Sequence, residues 1–286
     1  MELVNVLENE HLSMLNHSCA HMMAQAVKRL YPNAKFWVGP VISEGFYYDM
    51  DLGDVKLKEE DLAKIEKEMK KIAKDGKRIV REEISKEDAL EMFKDDPYKI
   101  DLINGLEDGN ITIYRQGEFA DLCRGPHVET VKMCKNFKLL KHSGAYWKGD
   151  ANNKMLQRVY GICFDTKEEL EAHLEALEEA KKRDHNKLGR EMKIFTTVDV
   201  IGQGLPLIMP NGVIMMQELQ RWIEDEETKR GYVRTKTPLM AKSDLYKISG
   251  HWDHYKDGMF VLGDEETDKE VFALRPMTCP FQYYVY

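Results

Sequence analysis

His11-Leu12-Ser13-Met14-Leu15-Asn16-His17-Ser18-Cys19-Ala20-His21-Met22-Met23-Ala24-Gln25-Ala26-Val27-Lys28-Arg29-Leu30-Tyr31 is the stretch whose reading decides the fold. Leu15, Met22, Ala26 and Leu30 recur at helical spacing, which predicts a helix over 11–31. Pro32-Asn33 ends it. The period then changes. Phe36, Val38, Val41, Phe46, Tyr47 and Tyr48 make 35–51 β-like around two breaks, Gly39-Pro40 and Gly45. A helix followed by broken strands predicts an α+β class. Inside the helix, His17 and His21 fall one turn apart on one face.

The pattern continues outward. Leu62, Ile65, Met69 and Ile72 mark an amphipathic helix stopped by Gly76. Ile79 to Ile84 reads as a strand, and Ser85 with Asp88 opens another helix. Ile111 to Tyr114, Phe137 to Leu140 and Leu156 to Phe164 are further strands. Residues 1–165 therefore read as one α+β domain. Thr166 and Glu169 cap a highly charged helix with a thin apolar stripe, read as a connector over 166–191. From 192 the composition shifts to a loop rich in Gly and Pro, a helix over 213–229, a strand-like Tyr232 to Thr237 and a strand-like Phe272 to Tyr286. That last strand has no turn or polar tail after it, so the sequence is expected to be cut short.

The 286 residues carry 43% hydrophobic and 32% charged residues, which excludes a disordered chain. A net charge of -8 argues against indiscriminate nucleic-acid binding but leaves room for an RNA of defined shape. Met1 to Leu12 lacks the apolar segment of a signal peptide, and no run approaches a membrane span. Five scattered cysteines fit reduced thiols or ligands. A cytoplasmic protein with no membrane partner is expected.

Two pairs carry chemistry: His17 with His21, and Cys123 with His127, each four residues apart. Joined by the fold, they make either a zinc centre or a hydrolytic pocket. A metalloprotease motif needs Glu beside the first His, and Ser18 stands there instead. The plain alternative is one surface and one core histidine with Cys123 as filler. Asp121 lies two residues before Cys123, and Lys99 sits in a loop after Pro97-Tyr98. A pocket lysine can hold an anion or act as a base. Between His142 and Arg158, Lys148, Lys154 and Arg158 can neutralise phosphates while Tyr146 and Trp147 stack on bases; a turn-rich loop with solvated charges is the alternative. Cys279, between Pro276 and Pro280, reads as a small residue at a strand end. His251-Trp252-Asp253-His254-Tyr255-Lys256-Asp257 lines either a cleft or an interface.

These motifs together closely resemble the threonyl-tRNA synthetase family. The resemblance runs through His17 to His21, Gly39-Pro40-Val41, Gly45-Phe46-Tyr47-Tyr48-Asp49 and Asp121-Leu122-Cys123-Arg124-Gly125-Pro126-His127. It continues through Gly144-Ala145-Tyr146-Trp147, Asn152 to Arg158, Gly250-His251-Trp252-Asp253, Tyr255-Lys256-Asp257 and Arg275 to Pro280. It implies a tRNA editing domain at 1–165, a helical linker at 166–191, and the N-terminal part of a class II antiparallel-sheet core at 192–286. Gly231 to Pro238 resembles the dimer-forming motif, which implies a homodimer at full length. The implied editing residues are His17, His21, Lys99, Asp121, Cys123 and His127. Alanyl-type relatives bind zinc with this constellation, while bacterial threonyl-type domains use it without metal, and the metal-free reading is adopted. Cys279 matches the zinc cysteine of the core, whose two histidine partners would lie beyond Tyr286.

The implied reaction is ATP- and magnesium-dependent attachment of threonine to its tRNA, with hydrolysis of mischarged seryl-tRNA. Serine differs from threonine by one methyl, worth only about 1–3 kcal/mol of discrimination in a pocket. A hydrolytic second site is therefore expected, with His17 or Lys99 as base and Asp121 holding the amino group or orienting a base. Residues 1–286 alone are expected to retain editing at most. The rivals are a free-standing trans-editing deacylase and a non-catalytic zinc-stabilised RNA-binding module.

Overall fold

A computed structural model describes residues 3–107, 109 and 111–286. Met1 and Glu2 of the leader reading lie outside them. The described chain forms two compact units, 1–185 and 186–286.

The first unit is α+β. In chain order it contains α1 (Glu10–Leu30), β1 (Lys35–Phe36), β2 (Val41–Ile42), β3 (Gly45–Asp51), α2 (Glu59–Asp75), β4 (Ile79–Ile84), α3 (Lys86–Met92) and α4 (Pro97–Asn104). It continues with β5 (Ile111–Gln116), β6 (Phe119–Leu122), β7 (Asn136–Tyr146), β8 (Met155–Phe164) and α5 (Lys167–Lys182). An antiparallel sheet runs β1-β3-β8-β7, with β2 also pairing β3. A smaller antiparallel sheet runs β4-β5-β6.

Helix α1 starts where Asn9 accepts a hydrogen bond from Leu12 N, and Lys28 and Arg29 face its C-terminal dipole. The sequence pattern gives it one apolar face. In the fold it is buried on nearly all sides from Leu15 to Val27, because α2, β3 and β8 all pack against it. Leu30, counted into the apolar face, is exposed. Small residues at Ala20, Ala24 and Ala26 let these neighbours approach. The Asn16 side chain bonds both the N–H and the carbonyl of Cys163, and so ties α1 to the end of β8. A bulge between Leu139 and Lys141 interrupts the β7–β8 register.

Several local expectations change. Lys99 lies in α4, not a loop: Asp96 caps that helix and Pro97 occupies its first turn, where no N–H is needed. The Thr166–Glu169 capping box is present, but α5 buries Leu170, His173 and Ala176 against the first unit.

The second unit contains α6 (His185–Glu191), β9 (Phe195–Thr196), β10 (Leu207–Ile208), α7 (Pro210–Lys229), β11 (Met240–Lys242), α8 (Ser243–Ile248), α9 (His251–Tyr255), β12 (Val261–Leu262), β13 (Phe272–Leu274) and α10 (Cys279–Val285). Its three-stranded antiparallel sheet runs β11-β13-β12 around Tyr246, Trp252, Val271 and Ala273. The strand expected at Tyr232 to Thr237 falls instead at Met240–Lys242, past Pro238, where β13 supplies the pairing register. The long terminal strand ends at Leu274, and Cys279 opens a helix in which Pro280 takes a first-turn position. Among the described residues no helix is long and apolar enough to cross a membrane.

Candidate active site

His17 and His21 project from α1 towards the loop that leaves β6. Cys123 and His127 lie on that loop. The four side chains offer ligand atoms that all fall within 4.8 Å of one another. The loop is held by Cys123 N donating to Thr112 O and by Val128 N donating to Ser18 Oγ. Gly125 turns it with φ +73°, packed so that a Cβ would meet Tyr114 Oη at 2.1 Å. No side chain fits there.

The hydrogen bonds fix what each ring presents. His17 Nδ1 lies 3.2 Å from Pro126 O. A carbonyl only accepts, so Nδ1 carries the proton and Nε2 keeps its lone pair. That Nε2 stands 3.2 Å from Cys123 Sγ, and His127 Nε2 stands 3.2 Å from the same sulfur. His21 is buried, with Nε2 3.8 Å from Asp121 Oδ2 and Nδ1 without a partner among the described residues. Burial holds His17, His21 and His127 below the ordinary imidazole value. Neighbouring His17 and Lys99 push His21 further down, and His21 and His17 do the same to His127. Burial pushes the Cys123 thiol up to about 11. The cluster thus presents neutral imidazoles and one thiol proton, fewer protons than lone pairs.

Beneath it lies a buried polar network. Lys99 pairs with Asp121 and also donates to Trp37 O at 3.0 Å and Tyr48 Oη at 3.2 Å. Tyr48 donates to Asp121 Oδ2, and Leu122 N donates to Oδ1 at 2.8 Å. Both carboxylate oxygens and all three ammonium protons are engaged. A cleft of about 310 Å³ opens over His17, His21, Tyr48, Lys99 and Cys123, walled by Trp37 to Val41. A larger hollow of about 680 Å³ reaches Lys99 and Asp121 from the side of Lys28, Phe36 and Phe119. The imidazole lone pairs are not on its lining, so the smaller cleft is the chemical one.

The fold thus brings together all six expected residues, His17, His21, Lys99, Asp121, Cys123 and His127. It adds two that residue types alone did not flag: Tyr48, visible only as an aromatic in a strand, and Ser18, noted only as the wrong residue for a protease. The basic loop reads differently. Lys148 pairs with Asp101, Lys154 with Asp51 and Arg158 with Asp49, while Trp147 stacks edge-on against Tyr98. Those cations are committed within the unit. Cys279 is exposed at the start of α10, and among the described residues the only convergence of three or more metal-type donors is the His/Cys group.

That group fits zinc: it offers three nitrogens and a sulfur in one small volume, one of the rings carries an orphaned nitrogen, and His17 already donates its other N–H to a carbonyl.

Residues 111–160 match the family described as threonyl and alanyl tRNA synthetase second additional domain. The threonine–tRNA ligase of Clostridium botulinum is 63% identical over 273 residues, covering 95% of this chain and 42% of the relative. That of Clostridium perfringens is 61% identical over 287 residues, 100% of this chain and 44% of the relative. That of Staphylococcus carnosus is 52% identical over 288 residues, with the same coverage. A crystal structure of the RNA binding domain of threonyl-tRNA synthetase from Cryptosporidium parvum is 31% identical, covering 36% of this chain and 25% of its own, at a TM-score of 0.33. The chain spans under half the length of the curated relatives it matches. Over its own whole length, the chain is similar in sequence to threonine–tRNA ligases.

Proposed function

We propose that the first unit hydrolyses the ester of seryl-tRNA, within a cytoplasmic enzyme that joins threonine to its tRNA using ATP and magnesium. The observation that carries this reading is the surplus of imidazole lone pairs around one thiol at the floor of a cleft. Only one of His17 Nε2 and His127 Nε2 can accept the Cys123 proton. The other is free to take a proton from water.

In the proposed step, water attacks the acyl carbonyl and gives its proton to His17 Nε2. The bond to the ribose oxygen breaks, and that oxygen takes the proton back from His17. General-base help of this kind is worth roughly 10²–10⁴ in rate. Both Asp121 oxygens are engaged, so its role is to orient Lys99 and Tyr48 rather than to hold the substrate ammonium. The remaining lone pair of His21, on the cleft lining, receives that ammonium, and His127 accepts the Cys123 proton. Lys99, with its donors committed, supplies a fixed charge beneath the cleft and does not serve as base.

A second reading is favoured by the orphaned His21 nitrogen. Three of His17, His21, Cys123 and His127 would then hold zinc, leaving its fourth position for a water that the metal would acidify when bound. The class II character of the second unit, the homodimer and a core zinc on Cys279 are proposed from the resemblance of Gly231 to Pro238, of the segment from Phe272 and of Cys279 to the motifs of the family. Hydrolysis of seryl-tRNA by the wild type and by His17→Ala tests the main reading; equal rates would overturn it.

A further inference from the structure

We infer that Ser18 is a positioning residue that holds His127 as its Nδ1–H tautomer, so that the His127 Nε2 lone pair faces the Cys123 thiol and leaves His17 Nε2 free. The Ser18 side chain is wholly buried, on the helix that carries His17 and His21. Its hydroxyl makes three bonds. It donates to Met14 O at 2.8 Å, accepts from Val128 N at 2.9 Å, and lies 3.1 Å from His127 Nδ1. A serine has one proton and two lone pairs. With the proton on the shorter bond to Met14 O, both remaining bonds are accepted by Oγ. His127 Nδ1 is then the donor, and Nε2 is left unprotonated beside Cys123 Sγ.

The same conclusion holds next door by a different route, since Pro126 O forces the Nδ1–H form on His17. The two rings reach one tautomer through two anchors, a carbonyl for one and Ser18 for the other. The competing arrangement turns the hydroxyl proton onto His127 Nδ1. It would put a proton on Nε2, facing the thiol, so that the thiol proton would have to go to His17 Nε2. Ser18 also joins the halves of the site, because the same oxygen anchors Val128 just after the loop. It thus occupies the position where a zinc-protease helix carries its acid, but it acts on a neighbouring ring rather than on water.

The catalytic consequence rests on the hydrolytic reading of the site, whereas the tautomer is measured without it. Long-range proton–nitrogen correlation spectra of the whole chain, labelled at histidine nitrogens, report ring tautomers near pH 7.5. Wild type is expected to show Nδ1–H for His127 and His17. Ser18→Ala is expected to move His127 towards the Nε2–H form and leave His17 unchanged, while Ser18→Thr, which keeps the hydroxyl, retains the wild-type His127 signal. Seryl-tRNA hydrolysis by Ser18→Ala should fall roughly 10- to 100-fold in kcat with KM unchanged. An Nε2–H His127 in wild type, or an unchanged His127 in folded Ser18→Ala, overturns the inference. Should Ser18→Ala fail to fold, the wild-type tautomer decides alone. Absent hydrolysis in wild type with the expected spectra would sink the proposed reaction and leave the role of Ser18 standing.

Discussion

Lys99 and Asp121 form an ion pair beneath the cleft with side chains only 3% and 2% exposed. They come from α4 and β6, so the pair fixes one element against the other at the point where the chemistry sits. Taking two charges out of water is costly, and the hydrogen bonds from Tyr48 and Leu122 and to Trp37 O offset that cost.

Lys99→Met should therefore destabilise strongly, by about 3–5 kcal/mol, because Asp121 is left as a lone buried charge. Adding Asp121→Asn should recover much of the loss. Urea midpoints of the single and double variants measure both effects. Additive losses in the double variant would refute the coupling.

Zinc should compete with water for the surplus lone pairs. Seryl-tRNA hydrolysis is expected to survive chelation, to fall when stoichiometric zinc is added, and to return when the zinc is stripped. Cys123→Ser should weaken zinc binding, measured by metal content after dialysis. Hydrolysis abolished by the chelator and restored by zinc would instead support the metal reading of the same four residues.

Much of this site was legible in the sequence because its residue types are rare and their spacing is short. His17 and His21 declare a shared helix face, and Asp121, Cys123 and His127 sit within seven residues. The convergence of the two groups depends on contacts across more than 100 positions, such as His17 with Cys123, which no local pattern encodes. Tyr48 escaped because strand tyrosines are common, and only the tertiary contact with Asp121 gives it a role. The strand at 232–237 failed for the opposite reason: its alternation was present, but pairing with β13 selected Met240–Lys242.

Acid should unfold the first unit early. Burial keeps His17, His21 and His127 below their ordinary value of 6.5 in the folded state. As pH falls through 6.5 the unfolded chain gains protons that the folded chain refuses. Stability is therefore complete above that point and is lost progressively below it. Each such group contributes up to about 1.4 kcal/mol per pH unit, so three contribute up to about 4. His21→Gln should flatten the slope by about one proton. Urea midpoints between about pH 7.5 and 5 check this, and a flat profile would contradict the burial argument.

Gly125→Ala should damage hydrolysis more than folding. At φ +73° a side chain is strained by about 1 kcal/mol or more, and the new methyl would collide with the Tyr114 ring. Tyr114 packs on His127, with ring centroids 4.4 Å apart, and is anchored in β5. The loop is the softer partner, so it is the loop that shifts. Cys123 and His127 then lose their register with His17, while α1 and the main sheet keep their packing. Cys123 Sγ also accepts from Gly125 N at 3.2 Å, a bond that the same shift would stretch. The expected result is a loss of kcat of roughly tenfold or more, since catalytic geometry tolerates little displacement. The urea midpoint should fall only modestly. Tyr114→Ala in the same background, by making room for the methyl, should restore part of the rate. No recovery would mean that backbone strain, not the collision, sets the loop.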